Sequence, residues 1–344
     1  MDLQQEIDKD NMLGVIKSSP DQLTAGLELA KDVKLDKKFD SIVLSGMGGS
    51  ALVGELLEIY LDEQSKIENR KSKVRIHVNR SYSLLPESYD PSCLNIISSY
   101  SGNTEEVLSC LDEALKNNLT ILGIGSGGKL KKICEEKNFP FIKMPVPSPS
   151  FQPRCATGYG FSALLMLMAQ NGLIMLNAER FKTSAKKLKS SLSEFEKLGK
   201  EIAEKLQGKT PIIYAPVHFG SLAMIWKIMF NENSKTPAFW NYFPELSHNE
   251  MVGFTKLQGK FHFIMLRDKN DHPNNLKRLN ITADLFREYS LESAIVDVPE
   301  GDIIYRIFAA LQIGSFASYN LALAYGIDPT PVVMVEKLKK MLAG

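Results

Sequence analysis

Ser98-Ser99-Tyr100-Ser101-Gly102-Asn103-Thr104-Glu105-Glu106 gathers hydroxyl side chains between an apolar stretch at 94–97 and an amphipathic one carrying Val107, Leu108 and Leu111. A buried strand, a hydroxyl-rich loop and a helix N-terminus in that order make a phosphate cradle. First-turn amides and the hydroxyls of Ser99, Ser101 and Thr104 would converge on one anion with no lysine required. Asn103 or Thr104 can cap the helix, and Glu105 and Glu106 suit its positive first turn. A plain well-capped turn uses the same residues, so the rest of the chain has to decide between the two readings.

A second loop, Gly46-Met47-Gly48-Gly49-Ser50-Ala51, fits G-x-G-x-x-A after an apolar strand, the weak form of a dinucleotide fingerprint. That fingerprint wants an acidic residue at the end of the next strand to hold a ribose, and here the next strand ends in Asn79-Arg80. Only an NADP-type oxidoreductase survives on that reading. The alternative is close backbone approach to a smaller ligand at Gly48 and Gly49, with Ser50 offering N–H and hydroxyl. Further on, Asn231-Glu232-Asn233-Ser234-Lys235 precedes Pro244-Glu245-Leu246-Ser247-His248-Asn249-Glu250. Blandly, Ser247-x-x-Glu250 is a capping box and His248 a first-turn residue. Glu245-x-x-His248 could be half of a carboxylate-bridged metal site, but the second half is missing and no H-E-x-x-H occurs, so no metal is expected. His77 and His262 fall in apolar strands as core residues, while His218 and His272 fall in loops without evident partners. Arg154, alone among neutral residues after a proline-rich loop, is either a surface residue or a stabiliser of a developing anion.

The elements that must position these residues alternate. Strands are expected over 41–45, 74–78, 94–97, 120–124 and 141–144, and again over 212–215, 261–266 and 294–298, with helices between them. This is an α/β pattern of parallel sheets covered on both faces. Four prolines between 145 and 153 force a rigid loop. Apolar residues at three- and four-residue steps from Phe181 to Leu206 predict one long connecting helix, capped at Gly208. The two halves resemble each other: 42–45 followed by Gly49-Ser50 parallels 212–215 followed by Gly220-Ser221. The hydroxyl loop is not repeated, because the second half has Arg267-Asp268-Lys269-Asn270-Asp271 there, whose carboxylates would repel a phosphate. The expected division is a helical lead-in over 1–38, a phosphate-binding domain over 39–175 and a second domain over 176–344.

At 344 residues and a net charge of +1, the chain gives no support to nucleic-acid or membrane binding. Four scattered cysteines suit reduced thiols in the cytoplasm. The opening residues are polar, and no apolar stretch is expected to approach the ~20 residues of a membrane span. A small-molecule partner is left.

The run at 99–106 resembles the phosphate loop of sugar-isomerase (SIS) domains. Ser45 to Ala51, Pro153-Arg154 with Gly158-Tyr159, the run at 244–250 and the ending Gly326-Ile327-Asp328-Pro329-Thr330-Pro331 with Leu338-Lys339 resemble the bifunctional phosphoglucose/phosphomannose isomerases. The resemblance implies two SIS domains per chain, each an αβα sandwich, a homodimer and no metal or nucleotide cofactor. It further implies interconversion of glucose 6-phosphate or mannose 6-phosphate with fructose 6-phosphate through a cis-enediol. By motif, Glu232 matches the base, His248 the ring-opening histidine, Arg154 the enediolate stabiliser and Lys339 an active-site lysine, with Lys337 and Lys340 as neighbours of the last. Cys155 departs from the pattern, where a small apolar residue is expected. SIS domains also occur in regulatory proteins, so a non-catalytic phosphosugar sensor is the other reading; it leaves Glu232, His248 and Arg154 without a task.

Overall fold

Residues 3–35, 37–67 and 74–342 are described by the computed structural model. The opening residues 1–2, used above to judge the polarity of the N-terminus, lie outside them. The chain forms two compact units, Ser18–Lys186, and Met1–Lys17 together with Lys187–Gly344. The break in the chain therefore falls at 186/187 rather than 175/176, and the first helices are divided between the units.

Before the first strand come α1 (Leu3–Ile7), α2 (Met12–Ser18) and α3 (Gln22–Leu29). The first unit then runs β1 (Ser41–Gly46), α4 (Gly49–Ile67), β2 (Arg75–Asn79), β3 (Cys93–Ser98), α5 (Glu105–Lys116), β4 (Ile121–Gly125), α6 (Gly128–Lys137), β5 (Phe141–Lys143) and α7 (Thr157–Gln170). Its five strands are parallel in the order β2-β1-β3-β4-β5. Every residue of β1, β3 and β4 is buried, as expected of strands covered on both faces, whereas the edges β2 and β5 are partly exposed. One face packs Ile97 and Ile121 against Val107, Cys110 and Leu111 of α5 and Leu130 and Cys134 of α6. All four cysteines are free thiols.

The chain passes from one unit to the other within α8 (Ala178–Ser190), followed by α9 (Leu192–Leu206). These replace the single long helix expected from the spacing. Ser190 Oγ donates to Lys187 O at 2.8 Å, and the Ser191 N–H is shared between Lys187 O and Leu188 O, so two adjacent serines interrupt the helical ladder. Gly208, at φ +71°, ends α9 in the left-handed region that a helix C-terminus needs.

The second unit continues with β6 (Thr210–Pro216), α10 (Gly220–Glu232), β7 (Phe239–Phe243), β8 (Phe261–Arg267), α11 (Pro273–Glu288), β9 (Ser293–Asp297), α12 (Ile303–Ala324) and α13 (Val333–Leu342). Its parallel sheet has the order β7-β6-β8-β9. That is the first sheet's order with one strand fewer, so the repeat seen in the sequence is a repeat of topology. One face packs Tyr214, Phe263 and Met265 against Leu279, Ala283 and Phe286 of α11. α12 packs against α9 and α10. By length and composition α12 could cross a membrane, contrary to the expectation that no stretch approaches a span, but 78% of its apolar window is buried inside the protein.

Candidate active site

β1 and β3 lie side by side in register, with Gly46 opposite Ser98. The chain leaves β1 toward β2 on one side and β3 toward β4 on the other, and the crevice outside the carboxyl ends of two such strands is where α/β sheets bind ligands. Both sequence-predicted loops meet there. Ser99 is fully buried; its Oγ stands 2.8 Å from Thr104 Oγ1 and accepts from the Gly102 N–H at 3.1 Å. Ser101 Oγ accepts from the Asn103 N–H at 3.2 Å. Thr104 occupies the N-cap of α5, but its hydroxyl goes to Ser99 rather than to the helix amides. Asn103, the other expected cap, instead accepts from the Lys129 N–H at 3.1 Å.

Ser50 joins the two loops, since its Oγ accepts from the Tyr100 N–H at 3.0 Å and its carbonyl accepts from Ser98 Oγ at 3.0 Å. The glycines permit close approach. A Cβ on Gly102, at φ +72°, would stand 1.8 Å from Gly127 O, and one on Gly49 would stand 2.6 Å from Arg154 N. Gly49, Ser50, Ser98, Tyr100, Pro153 and Ala156 line a cavity of about 20 Å³, large enough for one water. The Tyr100 hydroxyl donates to Pro145 O at 2.7 Å, and burial pushes its pKa up to about 12.

Arg154 is buried, at 7% exposure, in a 3-10 turn over Pro153–Cys155, which removes the surface-residue reading. One guanidinium N–H donates to Gln152 Oε1 at 3.3 Å. Gln22, a residue the sequence analysis did not single out, splints this turn to α7. Its Nε2 donates to Cys155 O at 2.7 Å and its Oε1 accepts from the Gly158 N–H at 3.1 Å. Spacing could not reveal it, because its partners lie more than 130 residues away. The oxidoreductase reading loses its remaining support: Arg80, the candidate for a 2′-phosphate, pairs with Glu55 at 2.7 Å, and buried Asn79 bonds Ser45 Oγ and Ser83 O.

In the second unit Glu232 is the half-buried last residue of α10. β7 packs against α10 and leads into a 3-10 turn, Glu245–His248, whose last residue is exposed. The capping box expected at Ser247-x-x-Glu250 does not form. The Glu250 carboxylate accepts from the Tyr214 hydroxyl at 2.7 Å and from Asn241 Nδ2, partners on β6 and β7. Burial, then the adjacent Glu250 charge and hydrogen bond, push the Tyr214 pKa far up, so it stays a donor. Lys339 lies on α13, which buries no residue, and its ammonium pairs with Glu336 at 2.8 Å on the exposed face.

The loops of the second unit that correspond to the Gly46–Ala51 and Ser98–Glu106 loops are differently filled. Asp268, 3% exposed, meets His218 Nε2 at 2.9 Å and an Arg306 guanidinium N–H, while His218 Nδ1 stands 3.5 Å from Asp271. His218 thus has partners, contrary to the expectation, and His272 caps α11 by accepting from the Asn274 N–H. His262 is buried as expected, but its Nδ1 makes no hydrogen bond and Glu292 stands 3.6 Å away.

A family model described as the bacterial phospho-glucose isomerase C-terminal SIS domain matches residues 195–342. The bifunctional phosphoglucose/phosphomannose isomerase of Caldicellulosiruptor bescii is 36% identical over 350 residues, covering 96% of this chain and 99% of that protein. The protein of the same name from Aquifex aeolicus is 31% identical, covering 92% and 93%. The crystal structure of a hypothetical protein from Thermus thermophilus matches with a TM-score of 0.73 at 17% identity, over 97% of this chain and 91% of that one, a likeness of fold.

Proposed function

Because this chain belongs to the family of bifunctional phosphoglucose/phosphomannose isomerases, we propose that it interconverts glucose 6-phosphate and mannose 6-phosphate with fructose 6-phosphate. The observation that carries the reading is the hydroxyl cradle of Ser99, Ser101 and Thr104, joined through Ser50 to the Gly48-Gly49 turn. Phosphate held there supplies binding energy remote from the reacting carbons.

Each remaining residue then has one task. His248 relays protons between the ring oxygen and the hydroxyl as the sugar opens. Glu232 takes the proton from C2 of the open aldose and returns it to C1, while the C2 hydroxyl proton passes to the C1 oxygen, forming the ketose; the reverse passage uses the same group. Between the two transfers the enediolate carries negative charge, which the fixed guanidinium of Arg154 stabilises. Glucose and mannose 6-phosphates differ only at C2, so loss of that proton gives both a common cis-enediol skeleton, and return to either face yields either sugar. The Lys339 role comes from the family motif alone. The same reading takes the protein to be a homodimer in the cytoplasm; light scattering on the purified protein decides the first point.

Purified protein assayed without added metal should convert both aldose phosphates to fructose 6-phosphate, and failure to isomerise either one overturns the proposal. Glu232→Gln should fold and bind phosphate but lose about 10²–10⁴ in kcat. Near-full activity would move the base role to Glu245 or Glu250.

A further inference from the structure

Three residues beyond the end of α10, Lys235 adopts φ +52°, a left-handed conformation that a non-glycine residue keeps only where its surroundings hold it there. What holds it is its own ammonium, which reaches four backbone carbonyls: Glu232 O at 2.8 Å, Asn233 O at 3.2 Å, Asp328 O at 2.9 Å and Pro329 O at 3.2 Å. The first two belong to the C-terminus of α10, where a cation also meets the negative end of the helix dipole. The other two belong to the Gly326–Pro331 run that follows α12, a motif given no task by the chemistry above. That run is itself shaped, with Gly326 at φ +64° and the Thr330 N–H donating to Asp328 Oδ1 at 3.0 Å.

The neighbouring side chains are committed to holding backbone or α12. Asn231 Nδ2 donates to Thr236 O, Ser234 Oγ to Phe230 O, and Thr236 Oγ1 to Ser234 O. Asn233 Nδ2 donates to Ser318 Oγ at 2.9 Å. Lys235 ties the residue carrying the proposed base to the segment between α12 and α13. A compact ammonium with three rotatable donors suits carbonyls converging from two segments, a geometry that a planar guanidinium does not reproduce.

We propose that Lys235 is a positioning residue for Glu232, fixing the last turn of α10 against the Asp328-Pro329 backbone so that the carboxylate meets the sugar at C1 and C2. This rests on the reading of Glu232 as the base. Misplacing a proton-transferring group by about 1 Å costs on the order of 10²-fold in rate. Lys235→Met, which keeps much of the volume and removes the donors, should therefore lower kcat about 10- to 100-fold while KM and the Kd for inorganic phosphate stay within about twofold. In the Glu232→Gln background the same substitution should cost no more than about a further twofold, since both act through one carboxylate. Should Lys235→Met not fold, Lys235→Gln, which retains a shorter donor, should show the same kcat-specific loss at smaller size.

Wild-type kcat in the folded Lys235 variants, a rise in KM with kcat unchanged, or a full additional loss in the Glu232→Gln background would each overturn the positioning role. Near-full activity of Glu232→Gln alone overturns both this inference and the assignment of the base. An inactive Glu232→Gln beside a fully active Lys235→Met overturns only this one.

Discussion

The Ser99 hydroxyl is buried with no access to bulk water, and it organises the cradle by bonding Thr104 and the Gly102 amide. Removing it leaves the Thr104 hydroxyl without that partner and loosens the loop. Thr104 is half-buried and the Gly102 N–H keeps its bond to Ser99 O, so the loss is that of an ordinary hydrogen bond, about 0.5–1.5 kcal/mol. Ser99→Ala should accordingly raise the Kd for inorganic phosphate about 2- to 10-fold in a calorimetric titration, and an unchanged Kd would refute the cradle. The bonded cluster of Ser99, Ser101 and Thr104 was legible because hydroxyls between a strand and a helix make a local pattern. Glu250 was not legible, because its partners Tyr214 and Asn241 come from other strands and the nearby Ser247 offered a plausible local one. The same limit hid Gln22 and the role of Lys235. Residues whose work is done across the fold carry no spacing signal.

At the scale of elements, the two sheets share an order, but their corresponding loops are built differently. Where the first unit presents hydroxyls, the second has a buried carboxylate, Asp268, bonded to His218, the Asn270 N–H and Arg306. Burial opposes ionisation of Asp268, but those hydrogen bonds and the neighbouring positive charges outweigh it and hold its pKa below the usual 3.8. A carboxyl with a depressed folded pKa contributes stability that is present above about pH 3.8 and is lost as the pH falls through the folded value. Asp268→Ala leaves the buried Arg306 charge uncompensated and should cost about 3–5 kcal/mol in urea unfolding at neutral pH. A loss below about 1 kcal/mol would show that water or Asp271 replaces the carboxylate. That these carboxylates are unsuited to a phosphate is legible from their charge, but their partners are not, because Arg306 lies on α12. β7 was missed altogether, since Phe239 to Phe243 is a short aromatic edge strand with no apolar–polar alternation. The prolines at 237 and 244 that bound it were the available signal.

Across the whole molecule, the second unit is assembled around α12, which buries eighteen of its residues. α9 reaches it through Gly199, where a Cβ would stand 2.5 Å from Phe316 Cβ and 2.8 Å from Ala317 N. Alanine gains about 1 kcal/mol of helix propensity over glycine, but here it meets backbone. Gly199→Ala should therefore be net destabilising, with overpacking of about 1–3 kcal/mol read as a lower urea midpoint. An increased midpoint would show that the two helices can separate at little cost. The alternation of strands and helices made the two sheets legible, but not that the first seventeen residues belong with the second. A helical lead-in to the nearest strand is the simpler reading of a linear chain, and the contacts that contradict it span most of its length.

Those contacts set a timetable for synthesis. The Tyr319 hydroxyl donates to Asp8 across 311 residues of sequence and accepts from Gln4, and Asp8 in turn accepts from the Met12 and Leu13 amides. At about 5–20 residues per second, the N-terminal helices emerge from the ribosome on the order of 15–60 s before their partner exists. Over that interval Ser18–Lys186 can complete its own sheet, while the buried side chains of α2, Met12 and Ile16, stay uncovered. The last long helix made is therefore the one that folds the first segment, and a nascent chain stalled before it would present Met12 and Ile16 of α2 to whatever binds unfolded protein.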